Sequence, residues 1–253
     1  MAGVLLFDVG NTHTTVALTS DGKEFKKFRI STQRYETEDE LYVFLRTLFG
    51  EMVNAKPIVV SSVVPSVNII FEYFASKYGS GEVYFVKAED YDGIVWAVNY
   101  PKEIGADRVC DVIAAFKEYG PNCIVVDYGT AITIEVLKEG RYEGGAILPG
   151  FKMMVHALFR GTAKLPQVEL KPYDGFVGKD TDSNIRIGTI NATVGAVKYL
   201  VENISREYRE NPVIVHTGGQ ASLVAGWLDG IVDPDLTLRG MYYFYEAKKN
   251  LTR

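Results

Sequence analysis

Two short acidic turns are the first residues in this sequence whose types and spacing could do chemistry. Asp8 to Thr12 follows the apolar run Val4 to Phe7, and Asp127 to Ala131 follows the apolar run Cys123 to Val126. The glycine in each turn lets the backbone approach a ligand closely, and the turn amides can form an anion-binding nest. Because a carboxylate repels phosphate, Asp8 is expected to hold Mg²⁺, directly or through water, which would bridge phosphate oxygens.

Taken singly, each turn is also compatible with an ordinary hairpin loop in which the aspartate accepts hydrogen bonds from loop amides. Two such turns facing each other across a cleft would clamp a polyphosphate from both sides. The pair therefore indicates a polyphosphate site more strongly than either turn alone.

Three further segments carry groups typical of binding sites. Gly105 to Arg108 lies at a predicted helix start, where free N–H groups favour a carboxylate and Arg108 stabilises the charge of Asp107. Gly144 to Gly150 is predicted as a glycine-rich loop, and Thr217 to Gln220 as a strand-to-helix turn whose amides suit a nucleotide. A helix-capping aspartate and ordinary loops are the alternatives.

The strands that position these segments are predicted from apolar runs. The chain opens with Val4 to Phe7, then Thr14 to Leu18, then a strand through Phe25, Phe28 and Ile30. Further strands are predicted at Ile58 to Val60, Val83 to Val86, Cys123 to Val126, Thr133 to Val136 and Val213 to Val215.

Helices are predicted between the strands. Thr37 to Glu40 is a capping box that predicts a helix with an apolar face from Leu41 to Leu48. Ser66 is predicted to cap a second helix that buries Ile70, Phe71 and Phe74, and Gly105 to Tyr119 is a third.

The order of elements repeats along the chain. Each acidic turn follows a buried strand and opens a hairpin, and the two turns lie about half the chain apart. The pattern predicts an α/β fold of two duplicated βββαβαβα domains, residues 1–119 and 120–253, with a cleft between them. The last helix is expected to pack back on the first domain. A chance match of two Asp-Gly turns is the alternative to duplication.

Composition excludes several classes of protein. The 253 residues carry a net charge of −5, which gives no basic footprint for nucleic acid or an anionic membrane. The two cysteines, Cys110 and Cys123, support neither a disulfide framework nor a zinc site. The sequence shows no signal peptide, no membrane-spanning run and no Gly-x₄-Gly-Lys-[Ser/Thr] motif of P-loop kinases. We therefore expect a cytoplasmic protein.

Taken in order, these motifs resemble the type III pantothenate kinases, especially those of thermophilic bacteria. The resemblance extends from Asp8 to Thr237 and implies an actin-like ATPase (ribonuclease H-like) fold. It also implies transfer of the γ-phosphate of ATP to the primary hydroxyl of pantothenate, the first step of coenzyme A biosynthesis. The matching segments are Asp8 to Thr12, Asn99 to Pro101, Gly105 to Arg108, Asp127 to Thr133, Gly144 to Gly150, Gly178 to Thr181 and Thr217 to Gly219.

The resemblance also implies a role for individual residues. Asp107 matches the general base, and Asp127 matches the ligand of a monovalent cation, K⁺ or NH₄⁺. A homodimer is implied, in which Thr181 reaches the pantothenate of the neighbouring subunit. The matching pantothenate contacts are Tyr100, Gly105, Ala106, Asp107, Arg108 and Thr181. The matching contacts to ATP and its Mg²⁺ are Asp8, Val9, Gly10, Asn11, Thr12, His13, Gly129, Thr130, Gly218 and Gly219.

Two positions depart from the family pattern. Ile132 stands where many members carry threonine, and His13 stands at a variable position, so His13 is given no proton-transfer role. Other enzymes of the same fold, such as sugar kinases and exopolyphosphatases, are alternatives, as is a non-catalytic transcription-accessory protein. The Gly-Ala-Asp-Arg and Asn-Tyr-Pro segments argue against the other enzymes, and the three intact aspartates argue against a non-catalytic protein.

Overall fold

The computed structural model describes residues 3–171, 175–209 and 211–251, with only the backbone of residue 34. The chain divides into two compact units. The first comprises Met1–Glu118 and Asp235–Arg253, and the second comprises Tyr119–Pro234.

Three strands open each unit, as the sequence pattern predicts, but in the second unit two α-helices follow one another with no strand between them among the described residues. Within the described residues the strands are β1 (Val4–Val9), β2 (His13–Thr19), β3 (Lys26–Ser31), β4 (Ile58–Ser62), β5 (Val83–Phe85), β6 (Val95–Trp96), β7 (Cys123–Tyr128), β8 (Ala131–Lys138), β9 (Arg141–Pro149), β10 (Val213–Thr217) and β11 (Ile231–Val232). The α-helices are α1 (Glu38–Phe49), α2 (Asn68–Lys77), α3 (Ala106–Tyr119), α4 (Phe151–Gly161), α5 (Thr181–Tyr208) and α6 (Leu236–Leu251). Short 3₁₀ helices lie at Thr32–Arg34, Gly50–Val53, Pro65–Val67, Ala88–Asp90, Pro101–Glu103 and Ala221–Leu223.

The first unit is built on a sheet with the strand order β3-β2-β1-β4-β5. Its central strand, β1, pairs antiparallel with β2 and parallel with β4. Leu5, Phe7 and Val9 alternate along β1 into a core that residues of α1 and α2 complete. Because side chains alternate between faces, Asp8 lies on the opposite face, at the carboxyl end of the strand.

Two helix starts in the first unit were predicted from sequence, with different outcomes. The capping box is confirmed: the Glu40 N–H donates to Thr37 Oγ1 at 3.2 Å, and the Thr37 N–H donates to Glu40 Oε2 at 3.1 Å. The cap at Ser66 is wrong, because Ser66 lies inside a 3₁₀ turn and α2 begins after Val67 without a side-chain cap. Pro65 favours that early turn, since its fixed φ suits the first position of a helix.

The second unit is built around β7, with the strand order β11-β10-β7-β8-β9. β7 pairs antiparallel with β8 and parallel with β10. Ile124, Val126 and Tyr128 enter a core that residues of α4 and α5 complete. Asp127 therefore lies on the other face of β7, as Asp8 does on β1.

The prediction of a glycine-rich loop at Gly144 to Gly150 is wrong, because β9 continues through this segment to Pro149. Gly144 has a φ of 97°, close to a register shift between β8 and β9. A Cβ on Gly145 would lie 1.6 Å from the carbonyl oxygen of Ile134. Gly144 therefore allows a β-bulge, and Gly145 allows β8 and β9 to approach closely.

The helix start predicted at Thr217 to Gln220 is also wrong. A 3₁₀ turn of three residues, Ala221–Leu223, follows β10 in place of an α-helix. The Gly218 backbone has a φ of 89°, which turns the chain sharply at the end of the strand. The segment therefore presents turn amides and no helix dipole.

Helix α6 belongs to the first unit and packs closely on α3. A Cβ on Gly240 would lie 1.9 Å from the carbonyl oxygen of Cys110. The Thr237 hydroxyl donates to Oδ1 of the buried Asp111 at 2.7 Å. These contacts fix the position of α3, whose first turn carries Asp107. In the part of the chain that the structure describes, no helix is both long and apolar enough to cross a membrane.

Candidate active site

Asp8 occupies the end of β1, where two strands bring hydroxyl groups beside it. Its direct neighbours are Thr15 on the antiparallel β2 and Ser61 on the parallel β4. The Ser61 hydroxyl donates to Asp8 Oδ1 at 3.3 Å. Burial, followed by charge repulsion from Asp107, raises the pKa of Asp8 from 3.8 to about 7, against the hydrogen bond from Ser61 and the positive charge of Arg29. An anion in this position is stabilised by a cation.

Asp107 lies in the first turn of α3, in the same unit as Asp8. The Arg108 backbone N–H donates to Asp107 Oδ1 at 2.8 Å, so a free amide of the helix start holds the carboxylate, as the sequence predicts for this position. A Cβ on Gly105 would lie 2.6 Å from the same oxygen. Glycine at 105 therefore leaves the space that the Asp107 carboxylate occupies.

The turn that follows Asp8 is short and internally bonded. The Gly10 N–H donates to the His13 carbonyl oxygen at 3.0 Å. The side chains of Asn11 and Thr12 are exposed, and Arg29 Nη2 lies 3.1 Å from Nδ1 of His13. The first unit thus brings together two carboxylates, a tight turn and a guanidinium group, which suits a metal-bound polyphosphate.

In the second unit, Asp127 ends β7 between two threonines. Thr133 lies opposite it on β8, and Thr217 lies beside it on β10. The Thr133 hydroxyl is buried and has no hydrogen-bond partner among the described residues. A carboxylate and an unsatisfied hydroxyl are oxygen donors, the type that hard cations prefer. The residues present therefore fit a cation at Asp127.

Glycines around Asp127 are required by close packing. A Cβ on Gly218 would lie 2.0 Å from Asp127 Oδ1, and a Cβ on Gly150 would lie 2.1 Å from the Thr130 carbonyl oxygen. The Gly129 N–H donates to the carbonyl oxygen of Ala131 at 3.0 Å, closing the turn. Thr130 therefore lies in the turn that follows Asp127, and Gly129 and Gly218 lie beside the Asp127 carboxylate. Gly219 follows directly.

A buried histidine lies behind this second turn. His216 Nε2 is 3.1 Å from the Asp229 carbonyl oxygen, which can only accept, so Nε2 carries the proton. Nδ1 then accepts from the Tyr128 hydroxyl at 3.1 Å. Burial lowers the pKa of His216 and so favours the neutral imidazole, and the hydrogen bond to Asp229 opposes this effect only in part.

The remaining predicted residues have different environments. Ala106 begins α3 and is buried, Arg108 is partly buried on α3, and Tyr100 is 67% exposed before the 3₁₀ turn Pro101–Glu103. Thr181 is exposed at the first position of α5, where Asp180 forms the N-cap. Tyr100 and Thr181 thus present their side chains to solvent.

Two side chains near the aspartates were not singled out from the sequence. Ser61 contacts Asp8 through a strand pairing of residues far apart in the chain, and Arg29 is a surface residue of β3. The only signal for Ser61 was its place at the end of a predicted parallel strand, where site residues of α/β proteins collect. In the described ranges no group of three or more His, Cys, Asp or Glu side chains is placed to hold a metal.

Comparison with known proteins identifies the family. The family model of type III pantothenate kinase matches residues 4–203. The chain belongs to the type III pantothenate kinase family. Relatives called type III pantothenate kinase are 73% identical over 98% of both chains in Fervidobacterium nodosum and 61% identical over 96% of this chain and 98% of the relative in Thermosipho africanus.

The fold is shared with distant kinases. A ROK family glucokinase from Streptomyces griseus, solved with glucose and AMPPNP, superposes with a TM-score of 0.52 at 8% identity, covering 94% of this chain and 97% of the glucokinase. The two units therefore have the actin-like ATPase fold of such kinases. Membership in the family makes this chain an ATP-dependent kinase of a small molecule, which excludes the non-catalytic alternative.

Proposed function

We propose that this chain transfers the γ-phosphate of ATP to the primary hydroxyl of pantothenate, giving 4′-phosphopantothenate, the first step of coenzyme A biosynthesis. The observation that carries the proposal is the pairing of Asp107 with Asp8 in one unit. Burial and then repulsion between the two charges raise the pKa of Asp8 to about 7. A pair of carboxylates this close provides one group for a metal and one for a proton.

Asp107 is assigned the role of general base. Its Oδ1 accepts a hydrogen bond from the Arg108 amide, which fixes the position of the carboxylate that would accept the proton of the pantothenate hydroxyl. General-base assistance contributes about 10²–10⁴-fold, and correct positioning of the hydroxyl contributes further. Gly105, Ala106, Arg108 and Tyr100 are assigned to pantothenate binding.

Asp8 is assigned to Mg²⁺, directly or through water. Burial and then the charge of Asp107 raise the pKa of Asp8, so its ionised form is disfavoured, and a divalent cation would stabilise it. Mg²⁺ held there would neutralise phosphate charge. The turn from Asp8 to His13 is assigned to the phosphates, and Thr130 with the Gly218–Gly219 turn to the nucleotide.

Asp127 is assigned to a monovalent cation, K⁺ or NH₄⁺. The unsatisfied Thr133 hydroxyl beside it supports the assignment, because a cation would use an oxygen atom that otherwise has no partner. Such a cation supplies positive charge to an acidic protein that binds ATP.

A homodimer is part of the proposal, with Thr181 contributing to the pantothenate site of the neighbouring subunit. Large apolar side chains on β9, on α4 and before α5 are exposed in the second unit, which is typical of a surface that another copy covers. They are Ile147, Met153, Leu158, Phe159, Phe176 and Val177. Sedimentation velocity at micromolar concentration tests this: a monomer would contradict it. We place the enzyme in the cytoplasm, where the buried thiols of Cys110 and Cys123, which form no disulfide, stay reduced.

A coupled ADP-release assay tests the reaction. Pantothenate, a hexose and water are offered as acceptors with Mg·ATP, with and without K⁺, and the product is identified by mass. Rapid ADP release with pantothenate alone, lost in Asp107→Asn while that variant still binds Mg·ATP, is expected. A preference for the hexose, or turnover near wild type in Asp107→Asn, would refute the proposal.

A further inference from the structure

Three buried hydroxyl groups connect the core of the first unit to the first acidic turn. Tyr35 Oη lies 2.8 Å from Thr14 Oγ1, and Thr14 Oγ1 lies 3.1 Å from Thr32 Oγ1. The Thr32 hydroxyl donates to the Gly10 carbonyl oxygen at 2.7 Å. All three residues are almost fully buried, with 0% exposure for Thr14, 2% for Tyr35 and 4% for Thr32.

The direction of these hydrogen bonds follows from counting protons. A carbonyl oxygen only accepts, so the single proton of the Thr32 hydroxyl points at Gly10. Thr32 must then accept from Thr14, and Thr14 must accept from Tyr35. Burial raises the pKa of Tyr35, and the hydrogen bond to Thr14 opposes this effect only in part. The raised pKa keeps the Tyr35 hydroxyl, the first donor, protonated. Hydrogen bonds aligned in this way polarise and strengthen one another.

The chain of hydroxyls ends on the part of the turn that would meet phosphate. Thr32 also donates its backbone N–H to the Thr12 carbonyl oxygen at 3.2 Å, so it binds the carbonyl groups of both Gly10 and Thr12. In a trans peptide the C=O and the following N–H point in opposite directions. Holding the Gly10 carbonyl towards Thr32 therefore directs the Asn11 N–H away from the core, on the side open to a ligand.

The far end of the chain is held by aromatic packing. The Tyr35 ring packs edge-on against Phe71, with centroids 6.1 Å apart, and Phe71 packs on Phe7, with centroids 4.9 Å apart. Phe7 immediately precedes Asp8. The hydroxyl chain thus connects the turn with the same core that holds the strand before it.

We propose that Thr32, supported by Thr14 and Tyr35, is a positioning residue for the phosphates of Mg·ATP. It fixes the Gly10 peptide so that the turn amides are aimed before the nucleotide binds. Preorganised donors bind an anion without the cost of ordering the loop. The inference rests on the proposed function in one respect, the binding of nucleotide phosphates by the turn from Asp8 to His13.

Calorimetric titration with Mg²⁺ and a non-hydrolysable ATP analogue tests this role without an acceptor substrate. Thr32→Val keeps the shape of the side chain and removes the donor, so we expect affinity to fall about tenfold. Thr32→Ser restores the hydroxyl and should bind within about twofold of wild type. Tyr35→Phe removes only the first donor of the chain and should weaken binding about threefold.

The matched control is Thr193→Val in the second unit. Thr193 is 3% exposed and donates to the Thr189 carbonyl oxygen at 3.0 Å within α5. Thr32→Val removes the two hydrogen bonds of a buried hydroxyl and Thr193→Val removes one, so both should lower the melting temperature, but only Thr32→Val should weaken nucleotide binding. Binding by Thr32→Val within about twofold of wild type would overturn the inference. If Thr32→Val does not fold, unchanged binding by Tyr35→Phe overturns it.

Turnover of pantothenate is measured separately on the same proteins. Wild type that binds the analogue but does not phosphorylate pantothenate refutes the proposed function and leaves the role of Thr32 to be decided by the titration. If wild type phosphorylates pantothenate and Thr32→Val binds the analogue as wild type does, the proposed function stands and the role of Thr32 is refuted. Wild type that fails to bind the analogue refutes both.

Discussion

The two acidic turns occupy equivalent places in their sheets but are supported by different groups. Asp8 lies between Thr15 and Ser61, and Asp127 lies between Thr133 and Thr217. Each aspartate thus has a threonine across the hairpin and a hydroxyl residue on the parallel strand. The positions of the aspartates in their sheets are repeated, as duplication predicts. The groups that contact the two turns from within each unit differ.

The first turn is held by side chains that reach it from the core. A series of three hydrogen-bonded hydroxyls ends with Thr32, which donates to the Gly10 carbonyl, and none of the three changes its charge near neutral pH. The second turn is held by close packing of Gly218 and by the Tyr128–His216 pair. The comparison indicates that the first turn depends on hydroxyl donors, and the second on the absence of a side chain and on a neutral imidazole.

The largest expected effect comes from removing the first carboxylate. Asp8→Asn should lower kcat/KM about 10²–10³-fold by weakening the metal site. It should also raise the melting temperature of the ligand-free enzyme at pH 8 by about 2–5 °C. The pKa of Asp8 is raised to about 7, so its favourable contribution to folding is complete below pH 3.8 and is lost as the pH rises through 7.

Asp21→Asn is the control, because it should change the melting temperature in the opposite direction from Asp8→Asn. Backbone hydrogen bonds from Lys23 and Glu24 lower the pKa of Asp21, so its contribution is present at pH 8 and its removal should lower the melting temperature. Differential scanning fluorimetry measures both variants. A melting temperature for Asp8→Asn at or below that of wild type would contradict the raised pKa of Asp8, which burial and then repulsion from Asp107 cause.

The cation proposed at Asp127 should make turnover depend on K⁺. Asp127→Asn should lose about 10–100-fold in turnover with K⁺ and become insensitive to replacing K⁺ by Na⁺. Thr133→Val should raise the half-saturating K⁺ concentration about tenfold without loss of stability, because it removes a buried hydroxyl that has no partner in the described chain. Thr133→Ser is the conservative control. Equal wild-type rates in sodium-only and potassium buffers would exclude the cation at Asp127.

A smaller effect is expected from closing the space beside Asp127. Gly218→Ala places a Cβ 2.0 Å from Asp127 Oδ1 at a φ of 89°, so we expect a destabilisation of about 1–3 kcal/mol and about tenfold lower turnover. Gly226→Ala is the control in the same unit, because nothing lies within 4 Å of its added Cβ. Urea unfolding and the kinase assay measure both. Equal behaviour of the two variants would show that the turn adapts to a side chain.

The smallest effect is a pH dependence in the second unit. Burial lowers the pKa of His216, so its contribution to stability is complete above pH 6.5 and is lost as the pH falls towards the pKa of the folded state. Urea unfolding from pH 8 to pH 5 should therefore show a steeper loss for wild type than for His216→Gln. Tyr128→Phe keeps the buried imidazole and should keep the steep loss. Identical slopes for wild type and His216→Gln would rule out a neutral, buried histidine.

The sequence predicted those features that depend on neighbouring residues. The hairpin at Asp8, the capping box at Thr37 and the helix from Ala106 each follow from local spacing, and the structure confirms them. The errors at Ser66 and Gly144 to Gly150 arose where local turn signals were overridden by a proline-led 3₁₀ turn and by strand pairing. Tertiary pairing decides such segments.

The support of the first turn could not be predicted. Thr14, Thr32 and Tyr35 lie on β2, in a 3₁₀ turn and after it, and no motif marks hydroxyls that meet only when the hairpin folds. Threonine is also common in strands, where it gives no signal of a hydrogen-bond role. The Tyr128–His216 pair joins residues 88 positions apart and is equally invisible in the sequence.

The packing of α6 on α3 has a consequence for folding during synthesis on the ribosome. The first unit is completed by Asp235–Arg253, which is translated after the whole of the second unit. The backbone of α3 at Cys110 lies against Gly240, so the helix bearing Asp107 gains its final neighbour only late in translation. A nascent chain stalled before α6 would have both acidic turns already translated, and α3 would still lack the helix that packs against it.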